Sequence, residues 1–334
     1  MLPLPLPKPL QHPQLLITTQ EITWTGDHRD HLPHLLFLHC CNKPIEVSVD
    51  DWDWLVKEHY FSSKFQNKDS HKIDGREKVQ FRGKNYTSND TIAMNAVSNR
   101  LQHFAIYRSG EGQYGTETGL VVYALPKVQH DQFTTVSVSV SGGLDGPTEY
   151  FNSIVVGWHA DGYRATGCYN LKCEGCVPRA KPSKLPGFKI YPVSEYNGVQ
   201  RVVKVKIYKD EKTENWWLHV DDSPIGYWPK TLFKSLSESA QEINWGGSVN
   251  YGDDEEGPPM GSGHFPEEGE SRAAAIQSIR FVNKLGELYN LTKDEVRSYV
   301  DRSDCYRVGE FFAEEKGFKF YFGGLGGILG SCAH

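Results

Sequence analysis

Asp253, Asp254, Glu255 and Glu256 form the densest run of chemistry-bearing side chains in this chain. Amide hydrolysis by acid–base chemistry needs two carboxyls of split pKa, one to activate water and one to give up a proton. A run of like charge, however, is the ordinary mark of a solvated loop. Glu267 and Glu268, after the turn GHFP, read the same way. Ser262 stands two residues before His264, but a nucleophile and its base meet in space rather than along the chain. A turn role suits Ser262 better. Cys168-x4-Cys173-x2-Cys176 has the outline of half a zinc site. No second Cys/His pair stands at finger spacing, which argues against zinc. No G-x-S-x-G, H-E-x-x-H or phosphate loop occurs. Trp216, Trp217, Trp228 and Trp245 offer groove-lining rings, but a packed core or its rim is the simpler use of them.

The elements that position these residues read as strands. HFAIYR, GLVVYAL, FTTVSVSVS and NSIVVGW are short β-branched or aromatic runs separated by Gly, Pro and Asp. Thr135, Ser137 and Ser139 alternate with Val136, Val138 and Val140, as one wet face and one buried face require. GFKIYPV, QRVVKVKIY, NWWLHVD, IGYW, AAIQSIRFVN and FKFYFGG continue the series. One short helix is expected after Pro229, where Leu232, Phe233, Leu236 and Ala240 fall at helical spacing. Residues 242–269 are crowded with Gly, Pro and acids, a composition that argues against regular structure through most of the stretch. Many short strands without βαβ alternation predict an antiparallel β-sandwich over residues 100–334.

Residues 1–99 look different. The first 43 are rich in Pro and His and lack periodicity, so they are expected to be irregular or loosely attached. Asp50 is placed to cap a short helix near 50–61 carrying Trp54, Leu55 and Phe61. The stretch IEVSVDDWDWLVKEHYFS with the following QNKDSHK resembles a segment of plant transposon-derived proteins. That resemblance implies a head joined to an unrelated body.

The chain has 334 residues, a net charge of −6 and 12% aromatic residues. That length supports a real core. The charge provides no general attraction to nucleic acid or to anionic membranes. No run of eighteen apolar residues spans a bilayer. Seven cysteines leave at least one thiol unpaired within the chain. Sequons at Asn85, Asn89 and Asn290 are compatible with secretion, whereas the proline-rich start carries no clear signal peptide.

TGCYNLKC at 166–173, NWWLHVDDSPIGYWPKTLF at 215–233, INWGGSV at 243–249 and MGSGHFPEEG at 260–269 occur in one order. With the DCYRVG…FYFGGLGG segment they resemble the signature blocks of the neprosin family, over roughly residues 100–334. That family is named for a secreted prolyl endopeptidase of pitcher plants. The resemblance implies an antiparallel β-sandwich, an extracellular setting, a monomer, and glutamic peptidase chemistry with two glutamates and a water but no metal or other cofactor. It also implies proline-containing peptides or cell-wall polymers as partners. In active members the first catalytic Glu precedes an Ala/Val-Gly-Trp triplet, and here Val155 holds that place before Val156, Gly157 and Trp158. The second follows Trp-Gly-Gly, and here Ser248 follows Trp245, Gly246 and Gly247. Valine cannot transfer a proton, and serine does not ionise near neutrality. The resemblance therefore implies an impaired or inactive member with no catalytic residue at either place. Trp158, Trp245, Gly246, Gly247 and His264 mark a possible cleft. Two alternatives stay open: an active acid peptidase recruiting Glu149, Asp161 or Asp253–Glu256, and a non-catalytic peptide or cell-wall binder. A chimeric, poorly folding product is a further expectation. Relative to the family, a hairpin after Gly157–Trp158–His159 is missing, which would expose strand edges or open the core. The resemblance further implies disulfides Cys168–Cys173 and Cys305–Cys332. It leaves Cys40, Cys41 and Cys176 over, with Cys176 where the family carries an apolar residue.

Overall fold

A computed structural model describes residues 36–41, 100–125, 128, 132–145, 150–159, 175–179, 190–252, 255–328 and 332. Within them the strands are β1 (Leu36–Cys41), β2 (Arg100–Ser109), β3 (Gly115–Val121), β4 (Phe133–Gly142), β5 (Asn152–His159), β6 (Val177–Pro178), β7 (Val202–Lys209) and β8 (Trp216–Val220). They continue as β9 (Ser223–Trp228), β10 (Glu242–Gly252), β11 (Ala274–Val282), β12 (Leu288–Tyr289), β13 (Val296–Val300), β14 (Arg307–Val308), β15 (Phe312–Glu314) and β16 (Gly317–Gly323). Every strand pairing between them is antiparallel. Among the described residues no helix is long and apolar enough to cross a membrane.

Two sheets form a sandwich. The first runs β1-β5-β4-β10-β2-β13, and the second runs β14-β16-β11-β3-β7-β8-β9-β6. The alternation read in β4 and β7 decides which faces meet. Val136, Val138 and Val140 of β4 and Val205 and Ile207 of β7 are fully buried in one shared core. Between the sheets Trp245 packs on Phe281 at 5.9 Å between ring centres, and its indole N–H donates to Thr116 Oγ1 at 3.2 Å. That bond removes the cost of burying the indole nitrogen.

Three expectations change. Glu242–Gly252, inside the stretch expected to be irregular, is an eleven-residue strand at the centre of the first sheet. Residues 190–193 of GFKIYPV form no strand, and the Tyr191–Pro192 peptide is cis. The helix expected after Pro229 is a single 3₁₀ turn at Lys230–Leu232. Phe233, Leu236 and Ala240 are buried as their spacing suggested, but the backbone of residues 234–237 is bonded by side chains of neighbouring strands. Asn152 Oδ1 accepts from the amides of Lys234 (2.9 Å) and Ser235 (3.2 Å). The Trp216 indole donates to the Leu236 carbonyl at 2.9 Å, and the Lys209 ammonium donates to the Ser237 carbonyl. Strand side chains thus replace the helical ladder.

Part of the amino-terminal region expected to be loose is a strand. β1 pairs with β5 from Leu36↔Trp158 to Cys41↔Ser153. The helix expected near 50–61 lies outside the described residues.

Candidate functional site

Strand partners directly opposite one another share a face of the sheet. Three rows therefore define the polar face of the first sheet, the one turned away from the core. The first row is Val155–Ser139–Asn244–Arg108–Arg297 across β5, β4, β10, β2 and β13. The second is Gly157–Ser137–Gly246–Ile106–Tyr299. The third contains Thr135, Ser248 and Phe104. Val155 and Ser248 thus lie on one face of one sheet, two strands apart and four residues out of line.

The middle row owes its shape to two glycines. A Cβ on Gly157 would fall on the carbonyl oxygen of Val136, and one on Gly246 on that of Ala105. Gly246 also holds φ at 145°, in the region that favours glycine. Both leave Ser137 flanked by bare backbone. Ser139, Ser248 and Asn250 are each less than a tenth exposed, so their neutral hydroxyl and amide groups sit in a sheltered setting.

Among the described residues, few side-chain hydrogen bonds cross this face. Gln102 Nε2 donates to Ser248 Oγ at 3.3 Å. Thr135 Oγ1 donates to the Trp158 carbonyl at 2.9 Å. Asn244 Oδ1 is buried without a partner. Arg108 lies over the Tyr299 ring at 4.7 Å. The carboxylates at the margins are engaged. Asp301 accepts the Phe104 amide at 2.8 Å and pairs with His103 Nδ1 at 2.7 Å. Glu255 Oε2 accepts from Gln132 Nε2 (3.1 Å) and the Gly252 amide (3.0 Å). Ser248, His103 and Asp301 are close in sequence register but form no triad. His103 pairs with Val249 and so points to the core side, opposite Ser248.

The residues expected to mark a cleft separate. Trp158, Trp245 and Gly247 face the core, where a Cβ on Gly247 would meet Met260 Cγ at 2.7 Å. Of the expected set, Gly246 stays on the polar face. His264 lies on another loop. Its Nδ1 meets Glu268 Oε1 at 2.9 Å, its ring stacks on Tyr196 at 4.3 Å, and Tyr196 OH donates to Glu268 Oε2 at 3.0 Å. Burial would raise the Glu268 carboxyl, but the bonds from His264 and Tyr196 together bring it below the usual range. A cleft of about 450 Å³, lined by Gly143, Tyr150, Ser235 and Glu238 among others, lies at the end of β4 and the start of β10.

Cys305 and Cys332 form a disulfide with Cα atoms 5.1 Å apart. Cys176 is a free thiol that burial pushes up to about 11, so it is protonated near neutrality. The Cys168–Cys173 pairing, the Cys40 and Cys41 side chains, Glu149, Asp161, Asp253 and Asp254 lie outside the described residues.

Fold and face together define a two-sheet antiparallel sandwich with a sheltered, glycine-floored polar face. The neprosin family model matches residues 129–325, more than half of the chain, and the protein belongs to the neprosin family.

Proposed function

We propose that this protein is a neprosin-domain protein without glutamic peptidase activity, whose polar face holds extended, proline-containing peptides without cutting them. The observation that carries this reading is the occupancy of the two family positions by Val155 and Ser248, on one face of the first sheet. No carboxylate stands in the rows between them. Asp301 and Glu255, at the margins, already hold backbone amides. A carboxylate whose oxygens are taken by structural donors has fewer lone pairs free to receive a proton from water. Losing one member of a catalytic pair costs orders of magnitude in rate. Ser137, Ser139, Ser248, Gln102 and Asn244 still offer neutral donors and acceptors of the kind that a peptide backbone needs.

The test is incubation of the purified full chain with proline-containing peptides at acidic pH, followed by mass spectrometry, with equilibrium binding of the same peptides measured in parallel. Binding without cleavage is the expected result. Turnover that disappears when a single nearby carboxylate is changed would establish the active-peptidase reading instead.

A further inference from the structure

Asn290, Leu291 and Thr292 form the sequon that falls among the described residues. They lie on the connection that carries the chain from β12, at the margin of the second sheet, to β13, at the edge of the first. The neighbours on both sides of Asn290 are anchored. Tyr289 OH donates to Gln113 Oε1 at 2.7 Å, and Leu291 is buried. Asn290 itself is exposed, and among the described residues its side chain takes no hydrogen bond. An asparagine beside a turn ordinarily holds the backbone of that turn. Asn283, on the β11–β12 hairpin, does so. Its Oδ1 accepts from the amides of Leu285 and Glu287, both at 2.9 Å, and its Nδ2 donates to Glu287 Oε2 at 3.0 Å. Asn290 has no such task, and its amide nitrogen is open to solvent. Neither Leu291 nor Lys293 is a proline that would bar modification.

We infer that Asn290 carries an N-linked glycan. The donor is an oligosaccharide joined through its first sugar to a lipid diphosphate. The Asn290 amide nitrogen bonds to the anomeric carbon of that sugar. The bond from this carbon to the diphosphate oxygen breaks, and the lipid diphosphate leaves with the electron pair. One amide proton passes to a base of the transferase. Transfer precedes folding of this segment. In the folded chain Thr292 is the first residue of a capping box, and its hydroxyl and amide donate to Glu295 Oε2 at 3.0 and 2.6 Å. The hydroxyl that makes Asn290 an acceptor is thus taken up once the 3₁₀ turn Lys293–Glu295 closes, whereas the exposed Asn290 side chain leaves room for the sugar already attached.

The experiment expresses the full chain behind a cleavable secretory leader in a eukaryotic host that attaches N-glycans. The exported protein is treated with peptide-N-glycan amidase in oxygen-18 water, which turns each glycosylated asparagine into a labelled aspartate. Mass spectrometry is expected to find the label at residue 290 in most molecules. Asn290→Gln and Thr292→Val should each lose the mass of one glycan on a gel, and Thr292→Ser should retain it. An exported chain with unlabelled Asn290 overturns the inference. So does an Asn290→Gln protein whose mobility is unchanged. If export is too weak to measure, translation of the same chains with microsomes decides, because transfer precedes folding. A protease-protected chain that runs level with its Asn290→Gln variant overturns the inference.

Discussion

Asn152 holds Ser235 twice: its Oδ1 accepts from the Ser235 amide at 3.2 Å and from the Ser235 hydroxyl at 3.1 Å. The same oxygen accepts the Lys234 amide at 2.9 Å. One side chain on β5 thereby fixes a segment with no ladder of its own. Asn152→Ala should cost about 2 kcal/mol, since three part-buried donors then lose their shared acceptor. Asn152→Asp keeps the acceptor and should cost less. Urea unfolding measures the difference. Hydrogen exchange should quicken at Lys234 and Ser235 in the alanine variant, and unchanged exchange would refute this account of the segment.

The glycines of the Gly-Trp and Trp-Gly-Gly blocks are packing requirements of different strength. At Gly157 a Cβ meets the carbonyl of Val136 and the Ser137 backbone, neither of which can yield without moving β4. At Gly247 the nearest atoms are all on side chains: Met260 Cγ and Sδ, which are adaptable, and the edge of the buried Phe322 ring at 2.9 Å. Gly157→Ala should therefore cost about 3 kcal/mol and Gly247→Ala about 1 kcal/mol. Equal losses in midpoint stability would show that Met260 does not yield.

The alternation Val136, Val138, Val140 against Thr135, Ser137, Ser139 was legible because a strand with one buried face writes its own period. β10 was not legible from composition, because Gly246, Gly247 and the acids that follow the strand resemble a loop. What makes Gly246 and Gly247 acceptable in a strand is the approach of β2 and of Met260, which only the folded chain shows. The segment after Pro229 has helical spacing of its apolar residues, yet Asn152, Trp216 and Lys209 claim its backbone from far along the sequence. Positions 155 and 248 carry no chemical signal as valine and serine, and the family resemblance alone marked them. Asn244 went unnoticed. Its place four residues before Ser248, and so on the same face, was readable once the stretch was known to be a strand.

The disulfide closes the carboxy-terminal segment onto the core. Cys305 and Cys332 are 27 residues apart, and both are buried. A cross-link of that loop length is worth about 3.5 kcal/mol in the chain-entropy account. The double variant Cys305→Ser with Cys332→Ser should lose about that much in urea unfolding. Reduction of the unaltered protein should reproduce the loss. A loss below about 1 kcal/mol would mean that the segment is held by its packing instead.

Acid should weaken the outer face of the second sheet through Glu270. Its Oε2 accepts from the Lys319 ammonium at 2.5 Å and from Tyr321 OH at 2.6 Å. The bond from Lys319, and then that from Tyr321, holds this carboxyl below the usual range, and burial opposes them less strongly. A depressed folded pKa gives stability that is present above the unfolded value, near 4.3, and is lost as pH falls through the folded one. Burial alone would lower Lys319, but the bonds to Glu270 and Tyr321 raise it overall. Its contribution is therefore lost only as pH rises through that raised value, on the alkaline side. The Glu270 side chain is 65% exposed, so screening limits the pair to about 1 kcal/mol. Glu270→Gln should melt lower than the unaltered protein at pH 7, and the gap should close as both are taken below the folded pKa, where the native carboxyl is neutral too. Melting temperatures across that range provide the check: a gap that persists undiminished in acid would show that Glu270 acts through packing and not through its charge.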